Sequence, residues 1–167
     1  MPKDTRVPDE AIRRTLPAMG GKSGTFNTSQ EASLSADQIA AISPIVAEIL
    51  DAHSEQPELD YCANFCVPGR ESAWVQVVHD KVNFAYPFTE DPIERLGRLG
   101  IAMLPGLALR KWQPGLYTTV SFTRHARSRE IARFVDAILG LVLDCGEDYP
   151  VDAEIERLDN GGDPGEA

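Results

Sequence analysis

The spacing of the apolar residues changes twice along the chain, and these changes limit the possible folds more than any other feature. Between residues 39 and 50 the apolar side chains recur every three or four positions, which is typical of an amphipathic helix. From Leu59 to Phe65 they alternate with polar residues, which is typical of a half-buried strand. Helical spacing returns between Ile131 and Leu143. The sequence therefore predicts an α+β fold.

Turn-forming residues divide the middle of the chain into short strands. Pro68-Gly69, Pro105-Gly106 and Pro114-Gly115 each favour a chain reversal, and the polar residues 79–81 suit a hairpin. We expect strands at 59–65, 73–78, 82–86, 107–112 and 116–123, and a short helix that starts at Asp91-Pro92. The order is α-β-β-β-α-β-β-α, an antiparallel sheet of about five strands with its helices packed on one face. Residues 151–155 also alternate and are compatible with a last, edge-like strand.

The two ends of the chain differ in composition from this central part. Residues 1–33 are poor in aliphatic side chains, so we expect a flexible arm with one helical turn near residues 10–16. Residues 35–38 match a capping box that would begin the first helix, and Pro44 would kink or restart it. We expect one α+β domain over residues 34–158 and a disordered acidic tail over residues 159–167.

Charge and cysteine content narrow the classes of partner and the compartment. The chain has 16 basic and 26 acidic residues, a net charge of −10, which argues against nucleic acid and anionic membranes as partners. No apolar run approaches the ~18 residues of a membrane span, and the first residues do not resemble a secretory signal. Three cysteines without an export signal suggest reduced thiols. We therefore expect a cytoplasmic protein.

A metal site built on the cysteines is not expected. Cys62 and Cys66 lie four apart in a predicted strand, so both face one side but are roughly 13 Å apart at ~3.3 Å per residue. Two ligands of one zinc ion, each at ~2.3 Å, cannot be so far apart. We interpret these thiols as small buried side chains and predict neither metal nor cofactor.

Recognisable catalytic patterns do not occur either. Residues 19–25 resemble a phosphate-binding loop, but Leu16 stands where the pattern requires glycine. His53, His79 and His125 belong to no nucleophile signature and are interpreted as surface residues, with His53 at a helix end. No catalytic residue is predicted.

Aromatic side chains on the predicted strands are the candidates for binding. Trp74 is out of phase with Val75 and Val77, and Trp112 is out of phase with the leucines before it, so both are expected on the face that no helix covers. Loops or a second protomer are alternative covers for these rings. The candidate binding residues are Trp74, Phe84, Tyr86, Trp112 and Tyr117.

The order of elements, together with residues 73–77, 96–100 and 131–136, resembles the superfamily of bacterial type III secretion chaperones and YbjN-like proteins. The resemblance covers about residues 34–158. It implies a non-enzymatic, acidic module that binds a peptide or client protein and is mostly dimeric, with the short second helix and residues 101–104 at the dimer interface.

Two alternatives remain open beside this peptide-binding module. One is an acidic inhibitor, such as an immunity protein or antitoxin, whose carboxylates in residues 144–156 would form one patch. The other is an enzyme of unrecognised class, in which His79 or His125 would meet a carboxylate and a nucleophile inside a pocket.

Overall fold

A computed structural model describes residues 12–16, 28–123, 125–146 and 149–158. In these residues the chain forms seven strands and three helices, and the third helix continues into a π-helical segment. In chain order the elements are β1 (Ile12–Leu16), α1 (Thr28–Glu55), β2 (Asp60–Val67), β3 (Arg70–Val78), β4 (Lys81–Ala85), α2 (Pro92–Arg98), β5 (Ala108–Gln113), β6 (Tyr117–Ser121), α3 (Ser128–Ala137), the π-helical segment (Ile138–Val142) and β7 (Val151–Leu158).

The seven strands form one antiparallel sheet in the order β1-β7-β2-β3-β4-β6-β5. The α+β class and the antiparallel sheet are confirmed, but the expected number of about five strands is too low. β7 is an interior strand between β1 and β2 and not an edge-like one. The edges are β1 and β5.

The amino-terminal part contains more regular structure than its composition predicts. Residues 12–16 form β1, where a flexible arm with a helical turn was expected. Backbone pairing with β7, from Ile12 opposite Ile155 to Leu16 opposite Val151, holds this strand in the sheet. The helix α1 begins at Thr28, so residues 35–38 do not cap it, and it continues through Pro44 without a restart. The predicted tail at 159–167 lies outside the described residues.

The core lies between the two long helices and one face of the sheet, which we call the helix face. Side chains of alternate strand residues on this face are buried, as the period of two predicts. An edge-to-face contact between Phe84 on β4 and Phe134 on α3, with ring centroids 6.3 Å apart, joins the two layers. Buried side chains on the helix face of the strands include Ala63, Phe65, Val67, Ala73, Val75, Val77, Val82, Phe84, Val120, Val151, Ala153 and Ile155.

The ends of α2 and α3 follow the ordinary chemistry of helix caps. The Asp91 carboxylate accepts hydrogen bonds from the backbone N–H groups of Ile93 and Glu94, which confirms the predicted start of α2. At α3 the residue before the first turn is Arg127, and its backbone N–H donates to the Glu130 carboxylate at 2.9 Å. Of the helices described here, none is both long and apolar enough to cross a membrane.

Candidate functional sites

The second face of the sheet, which we call the open face, carries a row of polar side chains. Asn64, Gln76 and Asn83 lie opposite one another on β2, β3 and β4. Gln76 Nε2 donates to Asn64 Oδ1 at 2.9 Å, and Asn83 Nδ2 donates to Gln76 Oε1 at 2.6 Å. Because the Gln76 amide donates to one neighbour and accepts from the other, the row is held in one orientation.

This amide row continues to acidic side chains on β7. Asn64 Nδ2 donates to Glu156 Oε1 at 3.4 Å. Asp152, Glu154 and Glu156 lie two residues apart along β7, so all three are on the open face, and each is partly exposed. Of the acidic residues in 144–156 that the inhibitor hypothesis places in one patch, these three form a column of carboxylates on the open face. Residues 147 and 148 lie outside the described part of the chain.

Cys62 lies two residues before Asn64 on β2, on the same face as the amide row, and is fully buried. Burial, the Glu156 carboxylate and the Glu154 carboxylate raise the pKa of its thiol to about 12, against a partial lowering by Asn64. The Gln76 amide approaches the sulfur at 3.6 Å. The thiol therefore stays protonated and acts as a small packing group, as the sequence predicts.

A shallow hollow of about 430 Å³ lies on the open face beside the amide row. Partly exposed Trp74 and Tyr117 contribute aromatic walls, and Lys111 on β5 is the cation at its rim. The lining residues are Trp74, Gln76, Asn83, Lys111, Tyr117 and Thr119. The predicted orientation of Trp74 away from the helices is confirmed, and the fold brings Trp74 and Tyr117 together.

The prediction that Phe84 and Tyr86 are binding residues is wrong, because both side chains are fully buried. Phe84 belongs to the helix face and contacts Phe134. The Tyr86 hydroxyl donates to the backbone carbonyl of Glu90 at 2.9 Å, and burial raises the pKa of this tyrosine to about 12. Both rings are part of the core and do not reach the open face.

The prediction that Trp112 lies on the open face is also wrong, because a β-bulge precedes it in β5. Leu109 pairs with Val120 and Lys111 pairs with Thr119, so Arg110 is an extra residue in β5. The extra residue reverses the alternation that follows it, and Trp112 therefore lies opposite the buried Thr118 on the helix face. Its ring is half-buried against the core.

A separate cluster of titratable side chains, His53, Asp60 and His79, forms where three elements meet. His53 is in the last turn of α1, Asp60 begins β2, and His79 follows β3. The two imidazole rings stack with centroids 3.6 Å apart and an angle of 7° between their planes. Asp60 Oδ1 lies 3.7 Å from His53 Nδ1 and 3.6 Å from His79 Nδ1. The two histidines were expected to be unrelated surface residues, and the fold instead pairs them.

Both imidazoles of this cluster are largely buried, with 17% and 18% of their side chains exposed. Each Nδ1 atom is inaccessible to solvent and has no hydrogen-bond partner among the described residues. Burial lowers the pKa of His79, the neighbouring His53 adds to the lowering, and Asp80 and Asp60 oppose it. The His79 ring is therefore neutral at physiological pH.

A hollow of about 390 Å³ opens beside the cluster and is lined by both imidazoles and by Ser54. In the described part of the structure, no hydrogen bond joins the Ser54 hydroxyl to either ring. Two of the features that the enzyme hypothesis requires, a carboxylate and a pocket, thus meet at His79. His125 is exposed and lies outside this cluster.

Sequence reasoning missed this cluster because its members come from distant positions. The turn after β2 pairs Val67 with Arg70, and that register continued would place Asp60 opposite Val77. The register shifts by three residues between Cys66 and Val67, so Ala63 pairs with Val77, and this register continued brings the start of β2 to residues 79 and 80. All three histidines lie next to predicted strand or helix ends, so this position in the sequence does not single out His53 and His79.

Comparisons with known proteins give no relative for this chain: no protein-family model matches it, no curated protein matches it, and no solved structure matches it.

Proposed function

We propose that this protein is a non-enzymatic binding module whose open sheet face holds a basic segment of another polypeptide. The observation that carries the proposal is the composition of that face, which joins an aromatic hollow at Trp74 and Tyr117 to a column of carboxylates on β7. A net charge of −10 for the whole chain favours a basic partner in the same way.

The amide row suits recognition of an extended chain. The open-face amides of Asn64, Gln76 and Asn83 are partly exposed, and each retains acceptor or donor capacity beyond the bonds within the row. Backbone N–H and C=O groups of an extended peptide offer the matching partners, while Trp74 and Tyr117 bury its apolar side chains. The occupant is therefore a segment that carries Lys or Arg beside aromatic or aliphatic residues.

Addition of a strand at the sheet edge is the less favoured way of binding. The edge strand β5 presents exposed Arg110 and Lys111, and charged side chains of this kind protect an edge against pairing. Arg110 also occupies the bulge, which disturbs the regular row of backbone groups that a docking strand would need.

A displayed library of random twelve-residue peptides, selected on the purified protein, tests the proposal without a known partner. We expect the selected peptides to be enriched in Lys or Arg and in aromatic residues. The affinity of the best peptide, measured by fluorescence anisotropy, should fall at least tenfold in Trp74→Ala and in Tyr117→Ala. It should also weaken as salt is raised, because the Glu156 carboxylate and its neighbours contribute attraction that ions screen.

Leu141→Ala is the matched control, since Leu141 is a strongly exposed apolar residue of the π-helical segment and not of the sheet. It should leave the affinity unchanged. Equal affinity of the selected peptide for Trp74→Ala, Tyr117→Ala and Leu141→Ala, with circular dichroism showing that all are folded, would overturn the proposal.

An acidic inhibitor is the second candidate, and the same column of carboxylates favours it. In that case charge carries the affinity: Asp152→Lys and Glu154→Lys should abolish binding of the basic ligand, whereas Trp74→Ala should have no effect. The two candidate functions therefore differ in which residues binding requires: the aromatic hollow for the peptide-binding module, and the carboxylates of β7 for the inhibitor.

The homodimer implied by the resemblance stays a prediction. Ile101 and Leu104 are buried within the protomer, so of residues 101–104 only 102 and 103 are exposed, beside the exposed residues of α2. Sedimentation velocity on the wild type and on Met103→Glu tests this prediction. If the dimer forms through this surface, the wild type should sediment as a dimer and the variant as a monomer.

A further inference from the structure

We propose that His53, Asp60 and His79 form a binding site for a divalent first-row transition-metal ion such as Zn²⁺. The site is independent of the open face and lies beside the second hollow. Its ligand atoms are the Nδ1 atoms of the two imidazoles and the Oδ1 atom of the carboxylate, and all three lie within 4.8 Å of one another.

The distances suit a shared ion better than they suit hydrogen bonds. The separations of 3.6 and 3.7 Å between Asp60 Oδ1 and the two Nδ1 atoms are too long for a hydrogen bond. Two donors at ~2.1 Å from one ion are about 3.4 Å apart in a tetrahedral site and at most about 4.2 Å apart. The observed separations lie within that span.

Burial is the second, independent observation. Both Nδ1 atoms are inaccessible to solvent and have no hydrogen-bond partner in the described part of the chain. Buried polar nitrogens are normally paired, so two adjacent unpaired ones facing the same carboxylate need an explanation. A cation between them would satisfy both nitrogens, with the Asp60 carboxylate as its third ligand.

The side chains around the three ligands favour this arrangement. The other nitrogen of His79, Nε2, lies 3.6 Å from the Asp80 carboxylate, which is beyond hydrogen-bond distance but near enough to close when the ring tilts; metal-binding imidazoles commonly have a carboxylate on their second nitrogen. Two imidazoles and one carboxylate are a ligand set for Zn²⁺, Co²⁺, Ni²⁺ or Fe²⁺ and not for Mg²⁺ or Ca²⁺. Three protein ligands next to a hollow leave a coordination position for water or another ligand.

The two rings must tilt when the ion binds. In the parallel stack the in-plane lone pairs of His53 and His79 run side by side, whereas coordination requires them to converge on one point. The hollow of about 390 Å³ beside the rings provides room for this movement.

Isothermal titration of the full-length protein with Zn²⁺, repeated with Co²⁺, tests the site. We expect one ion per chain, with at least a tenfold loss of affinity in each of His53→Gln, Asp60→Asn and His79→Gln. An excess of Mg²⁺ should not compete. Asp80→Asn should weaken binding about tenfold or more, because removal of such a supporting carboxylate typically costs 10- to 100-fold.

His125→Gln is the matched control, since His125 is the third histidine of the chain, is exposed and lies outside the cluster. It should bind Zn²⁺ as the wild type does. Imidazole ¹⁵N resonances of the wild type give a measurement that needs no variant: Zn²⁺ should shift the Nδ1 signals of two histidines and leave the third unchanged. Equal affinity in His53→Gln, His79→Gln and His125→Gln, or no Nδ1 shift, would refute the site.

Discussion

Replacing Gly140 by alanine should destabilise the protein, although helix propensity predicts the opposite. Gly140 lies in the π-helical segment, where the backbone N–H of Gly146 donates to its carbonyl. A Cβ added at Gly140 would lie 2.7 Å from the carbonyl oxygen of Gly146, well inside ordinary contact. The two backbones approach so closely that only glycine fits without a shift.

The expected magnitude follows from two opposing terms. Alanine in a helix is favoured over glycine by about 1 kcal/mol, while forcing one carbon into a packed site typically costs about 1–3 kcal/mol. The carbonyl of Gly146 cannot move away freely, because its own residue is held at φ +85° and is bonded back to Gly140. We therefore expect a net loss of about 1 kcal/mol in the free energy of unfolding for Gly140→Ala.

Urea denaturation measures this loss, with Gly97→Ala as the matched control. Gly97 is in α2, and an added Cβ there would meet nothing within 4 Å, so the variant should be unchanged or up to about 1 kcal/mol more stable. With a slope of about 2 kcal/mol per molar urea, the midpoint of Gly140→Ala should fall by about 0.5 M. A midpoint for Gly140→Ala equal to or above that of Gly97→Ala would refute the steric argument.

Two further predictions concern buried acids. The pKa of the Cys62 thiol is raised from 9.0 to about 12, so at pH 8 this thiol should be alkylated about a thousandfold more slowly than a thiol of ordinary pKa. Mass spectrometry should find that partly exposed Cys66 is labelled before Cys62. Burial and the Asp136 carboxylate raise the pKa of Tyr149, whose hydroxyl donates to that carboxylate at 2.6 Å. The unfolded chain therefore ionises at lower pH than the folded one, and the free energy of unfolding should fall above pH 10. Denaturation at pH 8 and pH 11 should show a smaller fall in Tyr149→Phe; an equal fall in both proteins would contradict this.

Local pattern was sufficient to predict the class of each central element. The period of two located β2, and the alternation of β3 predicted that Trp74 would leave the helix face. Asp91-Pro92 predicted the start of α2, because the chemistry of a cap is contained within four residues. In these cases the deciding interaction lies within one element, so its residues are adjacent in the sequence.

Pairing between distant elements could not be predicted in this way. The strand β1 is stabilised by backbone bonds to β7, about 140 residues away, and its own side chains carry little signal. One extra residue at Arg110 is enough to move Trp112 to the helix face. In a similar way, the register shift next to Val67 decides whether Asp60 meets His79. Both candidate sites thus depend on register, which a single sequence does not specify.

The two proposed sites lie at opposite ends of β3, so a change in one should not affect binding at the other. Trp74 lies near the start of β3, opposite Cys66, whereas His79 follows the end of β3. Five residues of extended chain span about 17 Å at ~3.3 Å per residue. Sites so far apart that share no side chain contribute additively, so removal of the imidazoles should not weaken a peptide bound at the aromatic hollow. A metal ion without a peptide, or a peptide without a metal ion, is therefore a consistent outcome, and neither proposal depends on the other.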